Sequence, residues 1–141
     1  MRYFEATSTI EAPADEVWSV LLDATAWPSW DSGIEEVRGT IAAGARITIR
    51  SKAAPGRSFP VTATTVEPPR KLVFTGGMPL GLFKGVRTYT LSTNADGATV
   101  FTMREEYTGP LLGLIWKSMP DLGPSFVQFA EGLKKEVESR R

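Results

Sequence analysis

The chain has 141 residues, with 16 Lys and Arg balancing 16 Asp and Glu, and contains neither His nor Cys. Zinc fingers, thiolate nucleophiles, haem or iron–sulfur ligation and Ser-His-Asp triads are thereby excluded, leaving any catalysis to Asp, Glu, Lys, Arg, Tyr, Ser or Thr. A net charge of zero gives no global attraction to nucleic acid, and 42% hydrophobic residues suffice for a single domain, residues 1–141, whose core needs no disulfide or metal.

Arg2 to Glu11 alternates polar with apolar residues and stops at Pro13, which predicts a strand rather than a secretory leader, so a cytoplasmic protein is expected. Helix should follow at once. Pro13 suits the first turn, Asp15 and Glu16 favour the positive end of the dipole, and Val17, Val20, Leu21 and Ala24 recur at helical spacing. Trp18 falls off that stripe and is expected outside the sheet or at its rim, and Trp27 is expected to pack within the loop that Thr25 to Trp30 forms. From Gly33 onward six strands are predicted: Ile34–Thr40, Ala45–Ser51, Ser58–Glu67, Lys71–Thr75, Gly85–Thr93 and Thr99–Tyr107. Their separators are too short for parallel crossovers, so the sheet reads as an antiparallel meander. Gly109-Pro110 ends the last strand. Leu111–Met119 and then Phe126, Phe129, Ala130, Leu133 and Val137 carry apolar residues at helical spacing, with Pro120 and Pro124 kinking or interrupting the helix. No apolar run approaches the roughly 20 residues of a membrane span, so stable membrane insertion is not expected.

A curved antiparallel sheet has one face to bury, and the last helix is the only element long enough to cover it. Several pieces of the sequence also match a known pattern in order. They are Ile10-Glu11-Ala12-Pro13-Ala14-Asp15-Glu16-Val17-Trp18 with Leu21, Trp27-Pro28-Ser29-Trp30, Gly39 with Gly44, and Val66 to Leu72. Gly97-Ala98-Thr99, Glu105 to Pro110 and Phe126 to Glu138 complete the set. With these the chain resembles the START-related helix-grip superfamily (SRPBCC), in its polyketide cyclase/dehydrase-like branch. The resemblance covers nearly the whole length. It implies an α+β helix-grip fold, a curved antiparallel sheet of about seven strands wrapped around a long C-terminal helix, with one or two short helices between strands 1 and 2. It also implies a deep apolar cavity between sheet and helix for a hydrophobic small molecule. It does not select an activity, because the superfamily hosts lipid carriers, cyclases, hydrolases and chaperone regulators.

Strand parity singles out the polar candidates. Phe101, Met103, Glu105 and Tyr107 share one face of their strand, as Arg87, Tyr89 and Leu91 do of theirs, and the apolar members mark that face as inner. Glu105 and Arg87 then point inward from adjacent strands, either as a polar anchor for a ligand carbonyl, hydroxyl or carboxylate or as a structural ion pair. Tyr89 and Tyr107 are hydrogen-bond donors to a ligand or core-packing residues. Asp31 is a candidate base near the cavity mouth or a loop cap. The expected lining is Trp30, Ile49, Val61, Phe74, Arg87, Tyr89, Phe101, Met103, Glu105, Leu114, Met119, Phe126 and Phe129.

Leu111–Met119 is apolar on too many faces for a helix with one dry side, so it covers a cavity, meets a partner or touches a membrane surface. With the glycine-rich loop Met78–Phe83 it forms a candidate gate over the pocket, the alternative being ordinary core filling by both segments. The function expected is binding of a hydrophobic small molecule: a lipid, polyketide, isoprenoid or aromatic metabolite. The alternative is a cofactor-independent cyclase, dehydratase or hydrolase using Glu105, Arg87, Tyr89 and Tyr107 as acid, base and oxyanion groups. Against it stands a conflict, since a proton-exchanging Glu105 is held as carboxylate by Arg87 beside it. A homodimer or protein adaptor working through the 111–119 segment is a third reading. No cofactor, metal or nucleic acid is called for.

Overall fold

The chain folds, in the computed structural model of residues 1–141, into seven strands and three helices. The strands are β1 (Arg2–Ile10), β2 (Ile34–Arg38), β3 (Arg46–Ser51), β4 (Phe59–Glu67), β5 (Lys71–Gly77), β6 (Lys84–Thr93) and β7 (Thr99–Thr108). The helices are α1 (Ala14–Leu22), α2 (Leu112–Trp116) and α3 (Gly123–Ser139), with 3₁₀ turns at Ala24–Ser29 and Pro79–Gly81. All strand pairs are antiparallel, and the spatial order is β1-β7-β6-β5-β4-β3-β2. This is the helix-grip arrangement.

Strands β2 to β7 form the expected meander, but β1 departs from it. It pairs along its whole length with β7, Arg2 opposite Tyr107 and Ile10 opposite Thr99. The cause is the connection: α1 packs against α3 and β6, and the following 3₁₀ turn delivers the chain to β2 at the opposite edge. Register shifts between Ile34 and Glu36 and between Ala63 and Thr65 supply bulges that bend the sheet.

Helix α1 begins after Pro13 and places Asp15 and Glu16 in its first turn, where the dipole favours them. Trp18 is buried in the core rather than at the rim, because α1 is covered from more than one side and its buried stripe widens to Val17, Trp18, Val20 and Leu21. Trp27 is wholly buried and donates its indole N–H to the Leu21 carbonyl at 3.1 Å. The prolines do interrupt the last helix: residues 117–122 separate α2 from α3, and Pro124 sits in the first turn of α3, where its missing N–H costs nothing.

Helix α3 buries Phe126, Phe129, Ala130, Leu133 and Val137 against the sheet. It is held at two places. On β1, the Ser8 hydroxyl donates to the Ala130 carbonyl at 2.9 Å and the Lys134 ammonium to the Thr9 carbonyl at 2.6 Å. On the loop before β2, Gln128 Nε2 donates to Asp31 Oδ1 at 2.7 Å, and Gly132 lies so close to the Asp31 carbonyl that a Cβ there would overlap it.

Replacing Gly132 by Ala should therefore destabilise the fold by roughly 1–3 kcal/mol, despite the better helix propensity of Ala. Gly113 in α2 has open space where a Cβ would go, so Gly113→Ala should be neutral or stabilising by up to about 1 kcal/mol. Urea denaturation of the two variants checks the contrast.

Candidate functional site

The inner face of the sheet divides along the strands into a dry half and a hollow half. Leu72, Tyr89, Leu91 and Phe101 lie in the dry half, packed with Trp27, Leu133 and Val137. Further along the same strands, Phe74 and Gly76 of β5, Gly85 and Arg87 of β6, and Met103, Glu105 and Tyr107 of β7 line a cavity of about 380 Å³. Its roof comes from Ile115 and Met119 and from Leu122, Ser125, Phe126 and Phe129. Ile49, Ser51, Phe59, Pro60 and Val61 form the side wall. The exposed wall residues Arg57, Phe59, Gly77 and Pro120 place the mouth between the β3–β4 loop, the β5–β6 hairpin and the α2–α3 connection.

One charged pair is set into this wall. Arg87 and Glu105 face each other across the β6–β7 ladder, as parity requires, and Arg87 donates from Nε at 3.3 Å and from Nη2 at 3.1 Å, both to Glu105 Oε1. Their side chains are only 20% and 13% exposed. The guanidinium also lies over the Phe126 ring, 4.7 Å from its centroid. Burial works against the Arg87 charge and Glu105 beside it works for it, and the net effect holds the guanidinium more firmly protonated than usual. Glu105 Oε2 takes no protein hydrogen bond, and Gly85 leaves it room, a Cβ there lying 3.4 Å away.

Tyr107 completes the cluster. Tyr107 lines the cavity, its phenol oxygen is buried with no hydrogen-bond partner, and burial, with Glu105 nearby, pushes its ionisation upward. The Tyr89 hydroxyl is likewise buried and unpartnered, and its ionisation is raised chiefly by burial. At neutral pH both phenols are therefore donors rather than bases.

Ile49, Val61, Phe74, Arg87, Met103, Glu105, Met119, Phe126 and Phe129 of the expected lining are on the cavity wall, as is Tyr107. Four others are elsewhere. Tyr89 and Phe101 share the inner face but lie in the dry half, stacked on each other at 6.1 Å between centroids. Trp30 ends the 3₁₀ turn and packs on Phe129, 5.3 Å between centroids, instead of reaching the cavity. Leu114 is 71% exposed, because α2 turns Ile115 inward in its place. Asp31 is exposed and bonded to Gln128, a clamp rather than a base at the mouth. Phe83, absent from the expected lining, stacks on Tyr107 at 5.9 Å and lines the cavity, and alternation back from the inward pair Gly85 and Arg87 reaches its position. Ile115 was findable too, standing one helical turn before Met119.

No three carboxylates gather as a metal site, and no helix is long and apolar enough to cross a membrane. A curved sheet gripping a helix over an apolar cavity with one inset ion pair defines a helix-grip, ligand-binding type of fold. The chain belongs to the family described as polyketide cyclase / dehydrase and lipid transport, whose model matches residues 1–138. Among solved structures it is similar to the Zhui aromatase/cyclase from Streptomyces sp. R1128, with a TM-score of 0.75, 17% identity and coverage of 99% of this chain and 94% of that one. A START superfamily protein from Mycobacterium smegmatis matches with a TM-score of 0.72 and 16% identity over 99% of both chains. DynU16, of the dynemicin biosynthetic locus, matches with a TM-score of 0.71 and 20% identity over 99% of this chain, which spans 48% of that one. At such identities the likeness is one of fold. The sequence matches none of the curated proteins compared with it.

The ion pair and the phenols can be tested separately. Arg87→Met and Glu105→Leu each leave the other charge without its partner, and each should destabilise by roughly 1–3 kcal/mol, whereas the double variant should be more stable than either single one in thermal melts. Because the folded phenols of Tyr89 and Tyr107 ionise above the ordinary value of 10.0, their contribution to stability is complete below that pH and lost as pH rises through the raised folded values. Phenolate absorbance should thus show both ionising late, together with alkaline unfolding.

Proposed function

We propose that the protein binds a small, mostly apolar molecule in this cavity, with one oxygen-bearing end seated at Arg87, Glu105 and Tyr107. The observation that carries this reading is the Tyr107 phenol, buried without a partner beside an ion pair that leaves Glu105 Oε2 and several guanidinium N–H groups unused. A ligand hydroxyl would accept from Tyr107 or Arg87 and donate to Glu105, and a carbonyl would accept from the two donors. Buried polar groups left alone are costly, so such an end is favoured and a purely apolar ligand is not. A volume of about 380 Å³ is at the small end of ligand sites, which suits a compact ring system better than a long-chain lipid. The family description and the similarity to an aromatase/cyclase support an aromatic or polyketide-like compound within that class.

A second reading is a cofactor-independent cyclase or dehydratase, favoured by Glu105 lining the cavity with its Oε2 free of protein hydrogen bonds. There Glu105 would move the proton while Arg87 and Tyr107 stabilise the enolate oxygen. We rank it below binding, since both guanidinium-to-carboxylate hydrogen bonds tie Glu105 to Arg87 and the phenols keep their protons.

Native mass spectrometry of the protein as purified, followed by denaturing extraction, should release a compound with an apolar body and at least one hydroxyl or carbonyl. Titrated with that compound, Tyr107→Phe should bind about fivefold to tenfold more weakly, the value of one buried hydrogen bond. Equal affinity in Tyr107→Phe and in the Arg87→Met/Glu105→Leu variant would remove the polar anchor from the account. Turnover of the same compound, abolished by Glu105→Gln with binding retained, would favour the enzyme reading.

A further inference from the structure

Three chain segments meet around the cavity mouth: residues 51–60, 75–86 and 108–120. The last two are joined, the Leu111 N–H donating to the Leu82 carbonyl at 3.0 Å and Gly109 lying against the same carbonyl. Together the three carry Lys52, Arg57, Lys84 and Lys117; the one acid beside them is Asp121, at the end of the α2–α3 connection, whose Oδ1 accepts from the Gly123 N–H, so the mouth keeps a net positive charge in a neutral chain. None of these four cations is in an ion pair, although most arginines elsewhere in the fold are paired. The same rim holds the two most exposed large apolar side chains, Leu80 at 96% and Leu114 at 71%, together with Met78 at 43% and Phe59 at 42%.

Leu80 is the sharpest of these. It sits at φ 61 in the left-handed region, unfavourable for leucine, between Gly77 at φ 140 and Gly81 at φ 67, and touches solvent on nearly every side. Packing within the molecule does not account for a leucine held in that conformation.

We propose that this rim docks on an anionic lipid bilayer surface, with the tips of Leu80, Met78, Leu114 and Phe59 in the acyl boundary and the four cations at headgroup level. Apolar tips bordered by unpaired cations fit that layered medium. A second copy of the chain fits it poorly, because a twofold contact would set the same four cations against one another. With the rim positive and the whole chain neutral, the rest of the surface carries the compensating negative charge, so the molecule approaches an anionic surface mouth first. This goes beyond the binding reading and does not depend on it.

The test is co-sedimentation of the whole protein with phosphatidylcholine vesicles prepared with and without phosphatidylglycerol. The protein should pellet with the anionic vesicles at low salt and stay in solution with the neutral ones. Lys84→Gln and Lys117→Gln should each weaken partitioning about fivefold, and Leu80→Ser about tenfold. Circular dichroism should find all three variants folded, since the altered side chains are exposed. Absence of pelleting with anionic vesicles, equal pelleting with both kinds, or unchanged pelleting of the variants overturns the proposal. So does a dimer in light scattering that Leu80→Ser dissolves. The Arg87→Met/Glu105→Leu variant should keep vesicle binding, so docking and ligand recognition fail independently.

Discussion

The ring of Phe129 is the contact about which the molecule is arranged. It meets Trp27 edge-on with centroids 4.9 Å apart, and lies 5.3 Å from Trp30, 5.8 Å from Tyr89 and 6.2 Å from Phe101. The same ring is also part of the cavity wall. It therefore marks the boundary at which the dry aromatic core gives way to open space. Helix α3 is the principal cover the sheet has, and Gly132 lets it lie directly against the Asp31 backbone of the loop before β2. Under the later turns of α3 the face is dry, and under its first turns, together with α2 and the connection between them, the face is hollow.

The hollow half is not merely a packing defect, because its wall is chemically specific. An apolar wall of the same shape would accept any hydrophobe that fits. The Arg87–Glu105 pair changes that, since neither charge can leave without stranding the other and the Phe126 ring fixes the guanidinium from the roof side. The pair is thus a polar element of the cavity wall that keeps guanidinium N–H groups and one carboxylate oxygen free of protein hydrogen bonds. Under the proposed binding reading, selectivity would work by exclusion: a ligand with nothing to offer these groups would have to desolvate them.

Much of this is legible in the sequence, and the failures have definite causes. Side chains alternate strictly along a strand, so placing Phe101 and Met103 inward also places Glu105, and the ladder then brings Arg87 opposite it. Alternation reports the face and not the distance along it, which is why it assigns Tyr89 and Phe101 to the cavity although they lie in the core. On a helix one position is a turn of about 100°, enough to exchange the exposed Leu114 for the inward Ile115. Trp18 and Asp31 escape the sequence pattern for another reason. Helix α3, distant in the chain, packs against α1 and clamps the loop before β2, and the contact between Asp31 and Gln128 spans 97 positions. The unpartnered Tyr107 hydroxyl is not legible at all, since the lack of a partner is a property of the assembled site.

The place of β1 has a consequence for how the chain acquires its shape. Its only strand neighbour is β7, so Ile10 waits for Thr99 and Arg2 for Tyr107, while β2 to β7 can zip together through short hairpins. Closing so long a loop carries a large entropic cost before any contact rewards it. During synthesis β1 emerges before the other strands of this domain and is then among the last of them to find its place, since until β7 appears its apolar residues have no sheet to join. Helix α3, which straps Ser8 and Thr9, arrives later still. Strand β1 and helix α3, far apart in the chain, thus complete the fold together, and the cavity is roofed only once α2 and α3 are in place.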